Sequence, residues 1–182
     1  MSRIGKEPVK LEDGATVEVS GQKVTVKGKL GELSYTMHEG ITAKVEDGSV
    51  KVLCADDEKF GNFHGLARAL IHNMVVGVSK GYTKQLSIEG TGFKAVLKGQ
   101  ELALSLGFAS PKIFAIPAGL KVTVENDGLQ VTVTGISKEV VGEAAARIRA
   151  FYPAEPYKGK GIMSGQEAKK ARLGGEIICT VA

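Results

Sequence analysis

One pattern of strands, turns and a closing helix occurs twice in this chain, displaced by about 79 residues. Gly40 falls on Gly119, Asp47-Gly48 lies near Asp127-Gly128, Lys59 falls on Lys138, and Ala67-Arg68 falls on Ala146-Arg147. A repeat of this kind constrains the fold before any single residue does, because both copies must satisfy one pattern. Two copies are too few for a solenoid, whose core is built by stacking many neighbours.

The first copy begins with Thr16–Ser20 and Lys23–Lys27, which alternate apolar and polar residues around Gly21-Gln22. Ile41–Val45 and Ser49–Leu53 do the same around Glu46-Asp47-Gly48. Period-two alternation across a short turn is the mark of a hairpin with one buried face, and Asp-Gly favours that turn. Leu33–Met37 adds a further strand. The period then lengthens. Phe63, Leu66, Ala67, Leu70, Ile71, Met74, Val75 and Val78 recur at spacings of three and four, which predicts a core-facing helix from about Phe60 to Val78. Gly77 and Gly81 are expected to end it.

In the second copy, Gln85–Glu89 leads to Phe93–Leu97 and Glu101–Leu106, which flank Lys98-Gly99-Gln100. Lys112–Ile116 follows, then a hairpin of Leu120–Glu125 and Leu129–Thr134 around Asn126-Asp127-Gly128. Ser137 suits the cap of a helix whose apolar stripe is Val141, Ala144, Ala145, Ile148 and Phe151, and Pro153 closes it. Strands followed by one covering helix give an α+β class: two duplicated domains, each a mostly antiparallel sheet covered by a helix, with a basic C-terminal tail. The expected divisions are 1–81, 82–156 and 157–182.

Charge adds a direction. The net charge is only +4, yet residues from Tyr157 onward carry five Lys and Arg against two Glu, leaving 19 basic against 18 acidic residues before it. The positive excess is concentrated at the C-terminal end, as it would be if that end met a polyanion. No apolar run approaches the roughly 18 residues of a membrane span. The start Met1–Lys6 has no apolar core of a secretory signal, and Cys54 and Cys179 show no disulfide or zinc spacing. A cytosolic protein without a membrane partner is expected.

Enzyme signatures are missing. Gly90-Thr91-Gly92 is a bare G-x-G followed by alternating strand residues, so it lacks the helix a dinucleotide site requires. Lys158-Gly-Lys-Gly161 has no Walker frame, no G-x-S-x-G occurs, and His38, His64 and His72 share no ligand spacing. No catalytic residue, metal, cofactor or small-molecule substrate is indicated.

The basic residues are more informative. Pro153-Ala-Glu-Pro156 breaks the second helix, and Tyr157-Lys158-Gly159-Lys160-Gly161 then alternates point charges with residues that let a ligand approach the backbone. Tyr157 adds a flat ring able to stack on a base. From chemistry alone this is either a solvated basic loop or a phosphate-binding one. Lys98, beside Gly99, and Lys112, after Pro111, lie in projecting turns, where either solubility or RNA contact explains them. Arg68 and Arg147 hold equivalent helix positions, where a structural surface role is the simpler account.

The motifs together resemble the bacterial large-subunit ribosomal protein six family. The likeness runs from the Met1-Ser-Arg-Ile-Gly-Lys-Glu-Pro8 start through Ala67–Leu70, Gly77–Tyr82, Gly90–Ala95 and Leu104–Phe108 to Pro156–Ile162. The resemblance implies a non-enzymatic component of the 50S subunit that binds 23S rRNA directly, chiefly through its second domain. It also implies a place near the stalk base and factor-binding region, among neighbouring 50S ribosomal proteins. The RNA contacts it implies are Tyr157, Lys158, Gly159, Lys160 and Gly161, then the turn from Gly107 through Ser110 to Pro111. Family members often carry His where this chain has Ser110. After Ile162 they continue with a basic end, whereas this chain reads Met163 to Ala182; Lys169, Lys170 and Arg172 are the residues able to restore phosphate contacts there. The alternative is a non-ribosomal interaction module that uses a sheet edge and the apolar finish Glu176–Ala182.

Overall fold

The computed structural model describes residues 4–12, 14–46, 48–155 and 160–165, with only the backbone at 57 and 58. The chain divides into two compact units, Met1–Tyr82 with Ile136–Lys138, and Thr83–Gly135 with Glu139–Ala182.

The first unit contains β1 (Val9–Lys10), β2 (Thr16–Ser20), β3 (Lys23–Gly28), β4 (Gly31–Thr36), β5 (Ile41–Glu46), β6 (Ser49–Cys54) and α1 (Asp57–Ser79). They make two sheets, ordered β2-β3-β4 and β1-β6-β5. The antiparallel pairs follow the alternation: Val17 faces Val26 across β2 and β3, and Ala43 faces Val52 across β5 and β6. Val24 and Val26 on one sheet, Val50 and Val52 on the other, and Ala67, Ile71, Met74, Val75 and Val78 on α1 form one core.

The α1 stripe differs from its expected composition. Phe63 and Leu66 are exposed, whereas His64 is buried at 5% exposure. The exchange has a physical cause. His64 Nε2 lies 3.0 Å from the Val52 carbonyl of β6, and Gly5 packs against its ring so closely that a Cβ there would come within 2.6 Å of Nδ1. Phe63 instead stacks outward on His38, with centroids 4.1 Å apart and planes 12° from parallel. Gly77 also lies inside the helix rather than at its end. The stop comes at Gly81, whose N–H turns back to the Val76 carbonyl at 3.2 Å.

The second unit contains β7 (Tyr82–Glu89), β8 (Lys94–Lys98), β9 (Glu101–Ser105), β10 (Lys112–Ala115), β11 (Leu120–Glu125), β12 (Gln130–Gly135), α2 (Lys138–Ala150) and β13 (Gly161–Ser164). Its sheets are ordered β10-β9-β8 and β11-β12-β7-β13. Strand for strand, β8-β9-β10 repeats β2-β3-β4, and β7-β12-β11 repeats β1-β6-β5. Each half is therefore a pair of sheets closed by one helix, an α+β fold used twice. Val141, Ala144, Ala145 and Ile148 are the buried face of α2. Phe151 lies just past the helix end, where its ring meets Phe114 edge-on at 6.5 Å.

Among the described residues, the one strand without a counterpart in the first unit is β13. It falls inside the stretch expected to be loop and tail, and it runs antiparallel to β7 with Gly161 opposite Glu89 and Ser164 opposite Leu86. Ile162 is fully buried and Met163 nearly so. Burying a side chain the size of Ile162 contributes about 1.5–3 kcal/mol towards holding this strand against its sheet.

Candidate nucleic-acid interface

Strand direction in the second unit brings three loops to one end. β7 arrives there at Glu89 and β8 leaves at Lys94. β9 arrives at Ser105, which pairs with Lys94, and β10 leaves at Lys112, which pairs with Leu104. β13 leaves from the same end, because Gly161 pairs with Glu89. Gly90–Phe93, Gly107–Pro111 and the described residues 152–155 and 160–161 are thus neighbours in space.

A chain of aromatic rings joins them. Phe93 is buried, and Tyr152 meets it edge-on with centroids 5.3 Å apart at 73°. Tyr152 meets Phe108 in turn at 5.9 Å and 63°. Lys112 Nζ lies over the Phe108 ring, 5.2 Å from its centroid. Gly107 takes a φ of 77°, which disfavours a side chain, and a Cβ there would come to 3.2 Å from the Phe93 ring. The third loop is closed by backbone. The Glu155 N–H donates to the Lys160 carbonyl at 2.9 Å, and the Ile162 N–H to the Tyr152 carbonyl at 2.9 Å.

The exposed side chains at this end include Thr91, Lys94, Phe108, Ser110, Pro111, Lys112 and Lys160, and the carboxylates beside them are Glu89 and Glu155. Of the residues singled out in the sequence, Gly107, Ser110, Pro111, Lys112, Lys160 and Gly161 are brought together here. Lys160 is exposed, but Gly161 is buried as the first residue of β13. Lys98 lies apart, in the β8–β9 turn at the opposite end of the strands, about 13 Å away along β8. Tyr157, Lys158, Gly159, Lys169, Lys170 and Arg172 lie outside the described residues.

Phe93, Phe108 and Tyr152 were not singled out by chemistry in the sequence, and Gly90-Thr91-Gly92 was set aside there as a bare G-x-G. The available signal was the glycine at each loop, which lets Phe93 pack closely against backbone; a Cβ at Gly90 would come within 2.6 Å of its ring. The two equivalent arginines have diverged. Arg68 donates to the Glu7 carbonyl at 3.3 Å and is largely covered, whereas Arg147 is exposed and pairs with Glu143 one turn earlier on α2.

Nothing in this arrangement performs covalent chemistry. Among the described residues no group of three or more His, Cys, Asp and Glu could hold a metal ion. A groove of about 410 Å³ between β10 and α2 is lined by Ile113, Phe114, Ala115, Arg147, Ala150 and Phe151, without an acid–base pair.

Comparison with known proteins identifies the chain's relatives. The ribosomal protein L6 family profile matches residues 13–81 and 89–165. The large ribosomal subunit protein uL6 of Magnetococcus marinus is 51% identical over 163 residues, 89% of this chain and 92% of that protein. Those of Trichlorobacter lovleyi and Dictyoglomus thermophilum are each 47% identical over 176 residues, 96% of this chain and 97% of theirs. Matches of that span extend past Met163. The chain belongs to the ribosomal protein L6 family and is a non-enzymatic, structural protein of the large ribosomal subunit, acting in translation in the cytoplasm.

Proposed function

We propose that this protein binds 23S rRNA directly through the loop end of its second unit, near the stalk base and factor-binding region and beside neighbouring 50S proteins. The observation that carries the reading is the convergence of Gly90–Phe93, Gly107–Lys112 and Lys160–Gly161 on one end of a rigid double sheet. Exposed lysines there attract phosphate without regard to sequence, and the exposed glycines Gly92 and Gly107 let a ligand approach the backbone. Tyr157, Lys158 and Gly159 stand between Glu155 and Lys160 in the sequence and are further contacts in this reading. Lys169, Lys170 and Arg172 extend the positive charge beyond β13. Lys98, at the other end of the strands, is a contact for a separate RNA segment. The role is architectural, holding rRNA segments in place. Family membership favours it over a protein-interaction module outside the ribosome.

The test is binding to 23S and 16S rRNA fragments across a salt series, with the intact chain and a variant carrying Lys158→Ala and Lys160→Ala. Preference for a 23S fragment is expected, with a log–log salt slope about one to two units shallower in the variant, since each phosphate contact contributes roughly 0.7–0.9. Equal, salt-insensitive binding to both RNAs would overturn the proposal.

A further inference from the structure

Phe108 is the single large apolar side chain in the Gly107–Pro111 loop, and it is 46% exposed. Its sequence neighbours Ala109, Ser110 and Pro111 are small and exposed, so Phe108 is the one ring this loop presents. The ring is nevertheless held. Tyr152 supports it edge-on, and Phe93 supports Tyr152 from the core, so three rings run in series from interior to surface. Gly107, fitted against Phe93, sets the loop that presents it. Lys112 holds its cation over the same ring.

We infer that Phe108 is the stacking platform for one unpaired nucleobase of rRNA, with Lys112 neutralising the phosphate next to it. A supported, half-open ring with the Lys112 cation held over it offers what the two parts of a nucleotide need, a π-face for the base and a positive charge for the phosphate. The base must be unpaired, because a base inside a helix has both faces covered by its neighbours. The aliphatic Ile113, though more exposed at 59%, belongs to β10 and the groove with α2 and offers no ring to stack on. The inference rests on the rRNA-binding reading above and adds how this loop takes part in it.

The test uses the full chain and the 23S rRNA fragment it prefers, comparing the unmodified protein with Phe108→Ala, Phe108→Leu, Phe108→Trp and Lys112→Ala. Circular dichroism and melting temperature show that each variant is folded. Phe108→Ala is expected to weaken binding roughly 5- to 140-fold, the range of a lost base–aromatic stack, with an unchanged salt slope. Phe108→Leu, which keeps bulk but not the ring, is expected to weaken it comparably, and Phe108→Trp to retain it. Lys112→Ala should instead lower the slope by about 0.7–0.9. Binding by Phe108→Ala or Phe108→Leu within two-fold of the unmodified chain would overturn the inference while leaving rRNA binding intact. Failure of the unmodified chain to prefer any 23S fragment would remove the functional reading, and this inference with it.

Discussion

At Gly161 the backbone leaves no room for a side chain. Its φ is 141°, and a Cβ there would lie 2.6 Å from the Ala154 Cα and 2.8 Å from the Pro153 carbonyl oxygen. Both obstacles are backbone, so neither can swing aside. Gly161→Ala is expected to destabilise the second unit by about 2 kcal/mol or more, lowering its melting temperature by roughly 10 °C. An unchanged melting temperature would show that this close approach is not maintained in solution. A glycine in KGKG is conspicuous in the sequence, but its reason is not, because the crowding comes from residues across a loop closure. His64 teaches the same lesson. Apolar periodicity favours Phe63 and Leu66 over a histidine, and only the Val52 carbonyl and the fit of Gly5 explain the burial. Spacing reports which residues share a helical face, not which long-range partner that face meets.

The hairpins were the most legible elements, because their pairing is local and a turn of a few residues sets the register. β13 was not legible. Its first three residues are all buried, so no alternation marks it, and its partner β7 is more than 70 residues earlier. The segment before β2 is likewise fixed by a distant element. The Glu12 carboxylate accepts hydrogen bonds from Lys80 Nζ at 2.7 Å and Ser79 Oγ at 2.8 Å, at and just past the end of α1. The Lys80 bond, then that from Ser79, lowers the Glu12 pKa below its ordinary value of 4.5. A carboxyl with a depressed folded-state pKa adds stability above its unfolded value and loses it as pH falls through the folded one. Acid unfolding of the unmodified chain is therefore expected to show a loss of stability below about pH 4.5 that Glu12→Gln lacks. Parallel acid-unfolding curves for the two proteins would contradict this.

For the whole molecule, duplication explains the architecture and divergence underlies the proposed function. Both units repeat one arrangement of two sheets and a helix, which the 79-residue offset announced. The second adds β13, three glycine-containing loops at one end and a ring series that reaches the surface. The individual motifs of that end were visible in the sequence, but their assembly was not. Phe93 and Tyr152, 59 residues apart in the sequence, become neighbours only through the directions of β7, β8, β9, β10 and β13. The central claim is that RNA meets this end of the second unit, and hydrogen–deuterium exchange of the intact chain with and without a 23S rRNA fragment tests it directly. Bound RNA is predicted to slow exchange at Thr91–Phe93, Phe108–Ser110 and Lys160, while the Gly21-Gln22 turn of the first unit exchanges as before. Bound RNA that protects the first unit and leaves those loops unchanged would place the interface elsewhere.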